Sequence, residues 1–235
     1  MKFEPELQPA RLVRRYKRFL SDIEMPDGRI VVAHCANPGA MLGLNNPGDR
    51  VWVQPSTNPK RKLAWSWLLT EPQTGGFVGI DTSLPNRLVG AALARDSIPQ
   101  LAGYGEIRPE QRYGTASRID FLLTDAARPT AYVEVKNAHL CRRTGLAEFP
   151  DCETKRGKKH LEELARMAEA GHRAVMLYVV QRTDCTRFAI ARDLDPAYAG
   201  AFDAARKAGV EMIAFGTDIS PRAIEIAGEL PITEK

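Results

Sequence analysis

The stretch "RAVMLYVVQR", residues 173–182, is apolar almost without a break. A strand exposed on one face alternates apolar with polar residues, so a run like this belongs to a strand covered on both faces. No other feature restricts the fold as much, because layers of structure must lie above and below the run. The flanking sequence supplies them. "ETKRGKKHLEELARMAEAGH" has helical periodicity, strongest over 158–169 and ending at Gly171, and "DPAYAGAFDAARKAG" reads as a second helix. "VEMIAFG" and "RAIEIAG" read as strands, and "LPNRLVGAALARD" as an earlier helix with Pro85 near its start. Helices and strands interleaved after about residue 81 predict an α/β sandwich.

Three strand-like segments lie between the first helix and the second: "GEIRPEQRYG", "SRIDFLLTD" and "TAYVEVKNAHL". The last two carry charges where buried strands should be apolar. Residues i and i+2 of a strand share a face, so Glu134 and Lys136 project together while Val133 and Val135 pack on the other side. The short turn "TDAARPT" lets the two segments pair as a hairpin and sets Asp120 beside Glu134. Two adjacent carboxylates repel and are costly to desolvate unless a cation joins them. Mg²⁺ or Mn²⁺ suits such a pair, since it takes hard oxygen ligands and leaves positions for phosphate and water. Lys136 would orient the attacking water or stabilise charge growing on phosphate. A cross-strand ion pair on an exposed sheet face is the plain structural alternative for the E-x-K alone.

The first 80 residues have a different character. Alternating apolar residues flank Pro26-Asp27-Gly28 in "RLVRRYKRFLSDIEMPDGRIVVAHC", a hairpin signal, with a bulge expected near Leu20. "RVWVQ", "KLAWSWLLTE" and "GGFVGID" complete five short strands, which fit a small OB-type barrel. Trp52, Trp65 and Trp67 are candidates either for stacking on bases or for the barrel core. The boundary between the two units is placed near 80–85, giving domains of 1–82 and 83–235.

The charge is unevenly shared between these units. The chain of 235 residues has a formal net charge of +4; residues 1–80 hold 11 Lys+Arg against 7 Asp+Glu, and the remainder holds 22 of each. Arg14, Arg15 and Arg18, then Lys60, Arg61 and Lys62, make two basic clusters suited to phosphate, or simply to a solvated surface. Lys155, Arg156, Lys158 and Lys159 crowd a helix N-terminus, where cations oppose the helix dipole and therefore point to an anion. Arg118, two residues before Asp120, is a further candidate for phosphate contact. Glu106 is a candidate third metal ligand, Gln181 a candidate for holding water or phosphate, and His160 a candidate accessory group. No apolar run approaches membrane-spanning length. The N-terminus has no signal-peptide core, and Cys35, Cys141, Cys152 and Cys185 form no C-x-x-C pair. A cytoplasmic protein with reduced thiols is expected. No G-x-S-x-G elbow occurs, and "GYGEIRPE" lacks the third glycine of a dinucleotide fingerprint.

Asp120 followed by Glu134-x-Lys136 on strands, then a basic helix and an apolar strand, resembles the PD-(D/E)xK nuclease core. A more specific resemblance covers nearly the whole chain. "RLVRRYKRFLSDIEMPDGRIVVAHCANPGAM", "NPKRKLAWSWLLTEP", "SRIDFLL", "YVEVKNAHL", "AEFPD", "TKRGKKHLEEL" and "VVQR" together resemble the sugar fermentation stimulation protein A family. That resemblance implies an α+β protein of two domains, an N-terminal OB-fold barrel and a nuclease-like α/β domain. It also implies DNA binding and a link to maltose-utilisation genes. One departure is visible: Cys35-Ala36-Asn37-Pro38-Gly39 stands where the family pattern has Cys-Pro-Asn-Thr-Gly. Two readings stay open: a metal-dependent nuclease, or a DNA-binding regulator that keeps a nuclease-like core only for binding. DNA is the partner in both, RNA is kept beside it, and a homodimer is left open.

Overall fold

The computed structural model describes residues 1–73, 75–114 and 117–234. Its N-terminal unit is a closed barrel. Strands β1 (Gln8–Tyr16), β2 (Leu20–Glu24), β3 (Ile30–Cys35), β4 (Arg50–Pro55) and β5 (Trp65–Glu71) are followed by a two-residue β6 (Val78–Gly79). β1 pairs antiparallel with both β2 and β4, β2 with β3, and β4 with β5; a parallel β3–β5 pairing closes the ring. This is the OB topology. The Pro26-Asp27-Gly28 turn forms with Gly28 at φ +82, where a side chain would be strained, and its N–H reaches the Met25 carbonyl. The bulge lies elsewhere than expected: the register slips between Leu12 and Arg14, so Val13 is the extra residue and turns outward. Leu12, Ile23, Ala33, Val51, Val53 and Trp67 fill the interior.

The second unit is built on a six-stranded sheet. Strands β7 (Glu106–Tyr113), β8 (Ser117–Asp125) and β9 (Arg128–Ala138) form an antiparallel meander. β9 then pairs in parallel with β12 (Arg173–Val180), β12 in parallel with β14 (Glu211–Ile219), and β14 antiparallel with β15 (Ile224–Glu229). Helix α1 (Leu84–Leu93) covers one face, and α2 (Lys155–Glu169) and α3 (Pro196–Lys207) the other. β12 is buried on both sides, as its composition demands. Val175, Leu177 and Val179 join the α1 side, while Met176, Tyr178 and Val180 join the α2/α3 side. A separate small sheet of β10 (Leu140–Arg143), β11 (Gly145–Phe149) and β13 (Cys185–Ile190) was not anticipated.

The units are joined by more than the chain. Val78 bridges Arg182, Gly79 donates to the Gln181 carbonyl, and Thr183 donates to the Phe77 carbonyl. The first residues depart from the expected 1–82 grouping. Lys2 bridges Ala223, and Phe3 and Leu7 pack with Leu68, Leu69, Leu88, Ile219 and Ile224, so the N-terminus ties the barrel to the edge of the second sheet. Burying those two apolar side chains there outweighs their place in the sequence.

Candidate functional site

β8 and β9 pair regularly from Leu123↔Ala131 to Phe121↔Val133, a register that brings Asp120 across from Glu134. At that point the ladder gives way to side-chain chemistry. Asp120 Oδ2 accepts the Val135 backbone N–H at 2.7 Å, and Oδ1 accepts from Asn86 Nδ2 on α1 at 2.6 Å. Burial raises the Asp120 pKa, and the neighbouring Glu134 charge raises it further, against the N–H of Val135 and the charge of Lys136.

Glu134 is 2 % exposed and points toward α2. Its Oε1 accepts from Lys136 Nζ at 2.6 Å and contacts His160 Nδ1. Arg156 Nε donates to His160 Nε2 at 3.3 Å, which leaves the histidine proton on Nδ1 to donate to Glu134. Burial pushes the Glu134 pKa up, but His160 and Lys136 together more than offset it and hold the carboxyl below its ordinary range. Glu134 Oε2 is buried and has no hydrogen-bond partner among the described residues.

α2 is placed to deliver His160 because Thr154 caps it, accepting the Gly157 N–H at 3.1 Å, and because Leu161 and Leu164 bury against the sheet. Lys155, Arg156, Lys158 and Lys159 are exposed at this end of the helix, and Arg118 is exposed on β8. Asp120, Glu134, Lys136 and His160 are thus brought together, with a basic surface beside them. Sequence reasoning missed Asn86, whose only signal was its position in the first turn of α1. It also missed how central His160 is.

Two expected residues fall elsewhere. Glu106 pairs with Thr124, four residues along β8 from Asp120, and accepts from the Thr124 hydroxyl at 3.0 Å while facing Arg108. Four residues of strand is about 13 Å, so Glu106 is no part of the carboxylate group. Gln181 is fully buried at the domain junction, donating to the Asp81 carbonyl at 3.1 Å and to Asn137 Oδ1 at 2.8 Å. Its amide nitrogen ties the Asp81 carbonyl to β9, while its Oε1 is buried with no hydrogen-bond partner among the described residues. Asn37 and Gly39 of the variant Cys35–Gly39 segment keep clear roles at the same junction. Asn37 Nδ2 donates to the Ile80 carbonyl, its Oδ1 accepts the Gly39 N–H, and a Cβ on Gly39 would lie 2.7 Å from Asp151 Oδ2.

The barrel residues divide similarly. Arg14 is held by Asp22 at 2.7 Å, and Arg15 donates to the carbonyls of Arg18 and Asn37. Arg18, Lys60, Arg61 and Lys62 are exposed. Trp67 is fully buried and donates to the Leu69 carbonyl, whereas Trp52 and Trp65 are half-buried. An aromatic pair was not foreseen: exposed Phe19, in the β1–β2 loop, stacks on half-buried His34 at 6.4 Å and 19°, with Arg61 Nη2 3.4 Å from the imidazole.

The carboxylates offer a hard cation the free Oε2 of Glu134 and the remaining lone pairs of Asp120. Among the described residues no three His, Cys, Asp or Glu side chains converge closely enough to hold a metal alone, so water and phosphate would complete the shell, as is usual for Mg²⁺. The residues fit such an ion on those terms. No described helix is long and apolar enough to cross a membrane.

Comparison with known proteins agrees with this architecture. Residues 13–80 match the SfsA N-terminal OB domain, and residues 83–223 match the sugar fermentation stimulation protein RE domain. The chain is 60% identical to a sugar fermentation stimulation protein homolog of Jannaschia sp. (strain CCS1), covering 99% of this chain and 97% of that one. It is 57% identical to the homolog of Roseobacter denitrificans, covering 99% of each. A solved structure of Pyrococcus furiosus SfsA in complex with Ca²⁺ superposes with a TM-score of 0.87 at 29% identity, over 100% of this chain and 98% of that one. The chain belongs to the sugar fermentation stimulation protein (SfsA) family.

Proposed function

We propose that this protein is a divalent-metal-dependent phosphodiesterase acting on DNA in the cytoplasm. The observation that carries the reading is the junction of β8 and β9, where Asp120 and Glu134 meet across one register and Glu134 keeps a buried oxygen free. A bound Mg²⁺ or Mn²⁺ would supply Lewis acidity toward the scissile phosphate and lower the pKa of water. Asp120 and Glu134 would hold that ion. Lys136 places an ammonium beside it, where negative charge grows on the phosphate as the P–O bond breaks. His160 keeps Glu134 turned inward by donating to Oε1, leaving Oε2 for the ion. The Ca²⁺ in the Pyrococcus furiosus protein supports this reading, since Ca²⁺ and Mg²⁺ both take oxygen ligands.

The barrel would guide the nucleic acid. Arg18 in the first loop, with Lys60, Arg61 and Lys62 in the loop between β4 and β5, flank the Phe19–His34 stack, on the side where OB barrels present loops to oligonucleotides. The basic start of α2, with Arg118, continues the phosphate track toward Lys136. A second reading, a DNA-binding regulator of maltose and sugar metabolism genes without turnover, is favoured by the relatives' names, which refer to sugar fermentation. An assay on single- and double-stranded DNA and RNA, with Mn²⁺, with Mg²⁺ and in EDTA, separates the two. Cleavage that needs the metal and disappears in Asp120→Asn supports the phosphodiesterase. Binding in EDTA with no cleavage of any substrate supports the regulator.

A further inference from the structure

Half of the buried side-chain atoms without a hydrogen-bond partner, among the described residues, come from three side chains. They are Oε2 of Glu134, the hydroxyl of Tyr113, and both oxygens of Glu163. All three lie on the α2 side of the sheet. Glu163 is three residues beyond His160, so both occupy the sheet-facing side of α2, and Glu163 is fully buried. Tyr113 ends β7 and packs against Tyr132 at 5.7 Å, within the same core.

Glu163 is paired only at long range, and on one oxygen. Lys159 Nζ at 3.8 Å and Arg166 Nη2 at 3.9 Å approach Oε1 from the solvent side, beyond hydrogen-bond range, and neither is paired with Oε2. Gly114 closes over the carboxylate, since a Cβ there would sit 3.3 Å from its carboxyl carbon. Two long ion pairs on Oε1 leave a buried carboxylate with no hydrogen bond and with Oε2 unanswered, an unfavourable state that a further cation or ordered water would relieve. The Tyr113 hydroxyl is likewise 93 % covered and has no acceptor. Its pKa is raised first by burial and then by the charges of Glu134, Glu163 and Asp120, so the hydroxyl stays protonated among them.

We propose that Glu163 and Tyr113 form the far wall of the divalent-cation site, facing Glu134 and taking the ion through its water shell. Glu106 was expected to provide the third carboxylate from the strand before Asp120; Glu163 provides it from the helix after Lys136. Ions of the Mg²⁺ type keep several waters, so a carboxylate outside direct coordination still contributes charge and accepts from those waters. With the ion bound, the Tyr113 hydroxyl would find its partner in a water of that shell. This inference rests on the cation of the phosphodiesterase reading and adds two residues to its site.

The test is Mn²⁺ binding to the full-length protein, read from the paramagnetic resonance signal of free Mn²⁺, with melting in EDTA measured beside it. Wild type is expected to bind Mn²⁺, and Asp120→Asn to abolish binding. Glu163→Gln should raise Kd at least tenfold and Tyr113→Phe about threefold, with melting in EDTA no lower than wild type for Glu163→Gln. Wild-type affinity in Glu163→Gln overturns the inference and leaves the phosphodiesterase reading in place. Failure of the wild type to take up Mn²⁺ overturns both. Should Glu163→Gln not fold, Tyr113→Phe decides, because it removes only a hydroxyl; unchanged affinity there overturns the inference.

Discussion

Two glutamates, Glu134 on β9 and Glu148 on β11, are buried to nearly the same degree, at 2 % and 1 % exposure, yet their surroundings differ. Arg142 grips both oxygens of Glu148, with Nε to Oε2 and Nη2 to Oε1, each at 2.9 Å, and its outer edge binds Asp193. That is a bidentate, fully answered charge, which fixes a small sheet. At Glu134, Lys136 and His160 both crowd onto Oε1, and Oε2 is left bare. A scaffold carboxylate is satisfied evenly, and a binding carboxylate is held on one side so that the other can face a ligand.

Substitutions should separate these roles. Glu134→Gln keeps an acceptor for Lys136 and His160 but removes the charge a cation needs. It should cost less than about 1.5 kcal/mol of stability and lower metal-dependent cleavage on the order of 10³-fold. Arg142→Ala should do the reverse. It removes the bidentate partner of the buried Glu148 and should lower unfolding free energy by about 3 kcal/mol, with residual cleavage per folded molecule unchanged. Denaturant unfolding and single-turnover cleavage measured on both proteins would show it. Equal destabilisation by the two changes would break the comparison.

How much of this could be read from sequence follows the same division. The β12 run, the P-D-G hairpin and the Asp120/Glu134/Lys136 spacing were legible because each rests on local periodicity or turn chemistry. β10, β11 and β13 were not, because β11 is five residues long and pairs in parallel with β13, about 40 residues on, an arrangement with no local signature. Glu106 was misplaced because the β7–β8 register, not the order of acids in the chain, decides which residue faces Asp120. His160 and Asn86 depend on how helices dock on the sheet, which a single sequence does not encode locally.

The contrast between engaged and free charges extends to the barrel arginines. Arg14 is neutralised by Asp22 at 2.7 Å, whereas Arg18 is exposed and has no side-chain partner among the described residues. Arg18→Ala should therefore flatten the dependence of log K on log salt by about 0.7 to 0.9, the contribution of one phosphate contact. Arg14→Ala should change the slope by less than half of that. Binding titrations in EDTA at several salt concentrations would measure both, and identical slopes would remove Arg18 from the interface.

Asp151 is the intermediate case and the smallest expected effect. His139 Nε2 stands 3.6 Å from Asp151 Oδ2, beyond hydrogen-bond range, and neither atom has another partner among the described residues. His139 nonetheless holds the Asp151 carboxyl below its ordinary value of 3.8, against the opposing pull of burial. A carboxyl with a lowered folded pKa contributes stability that is complete above the unfolded value and is lost as pH falls through the folded one. The stability difference between wild type and Asp151→Asn should therefore be present at about pH 5 and shrink toward zero as pH falls below the ordinary carboxylate range. Because the contact is long, the difference should be no more than about 1 kcal/mol. Asp151 also abuts Gly39 of the barrel, so the loss should appear first as faster amide exchange at residues 36–41. A difference that grows on acidification would mean that Asp151 is strained against Gly39, and the junction would then rest on its other contacts, Gln181 and the Val78–Arg182 bridge among them.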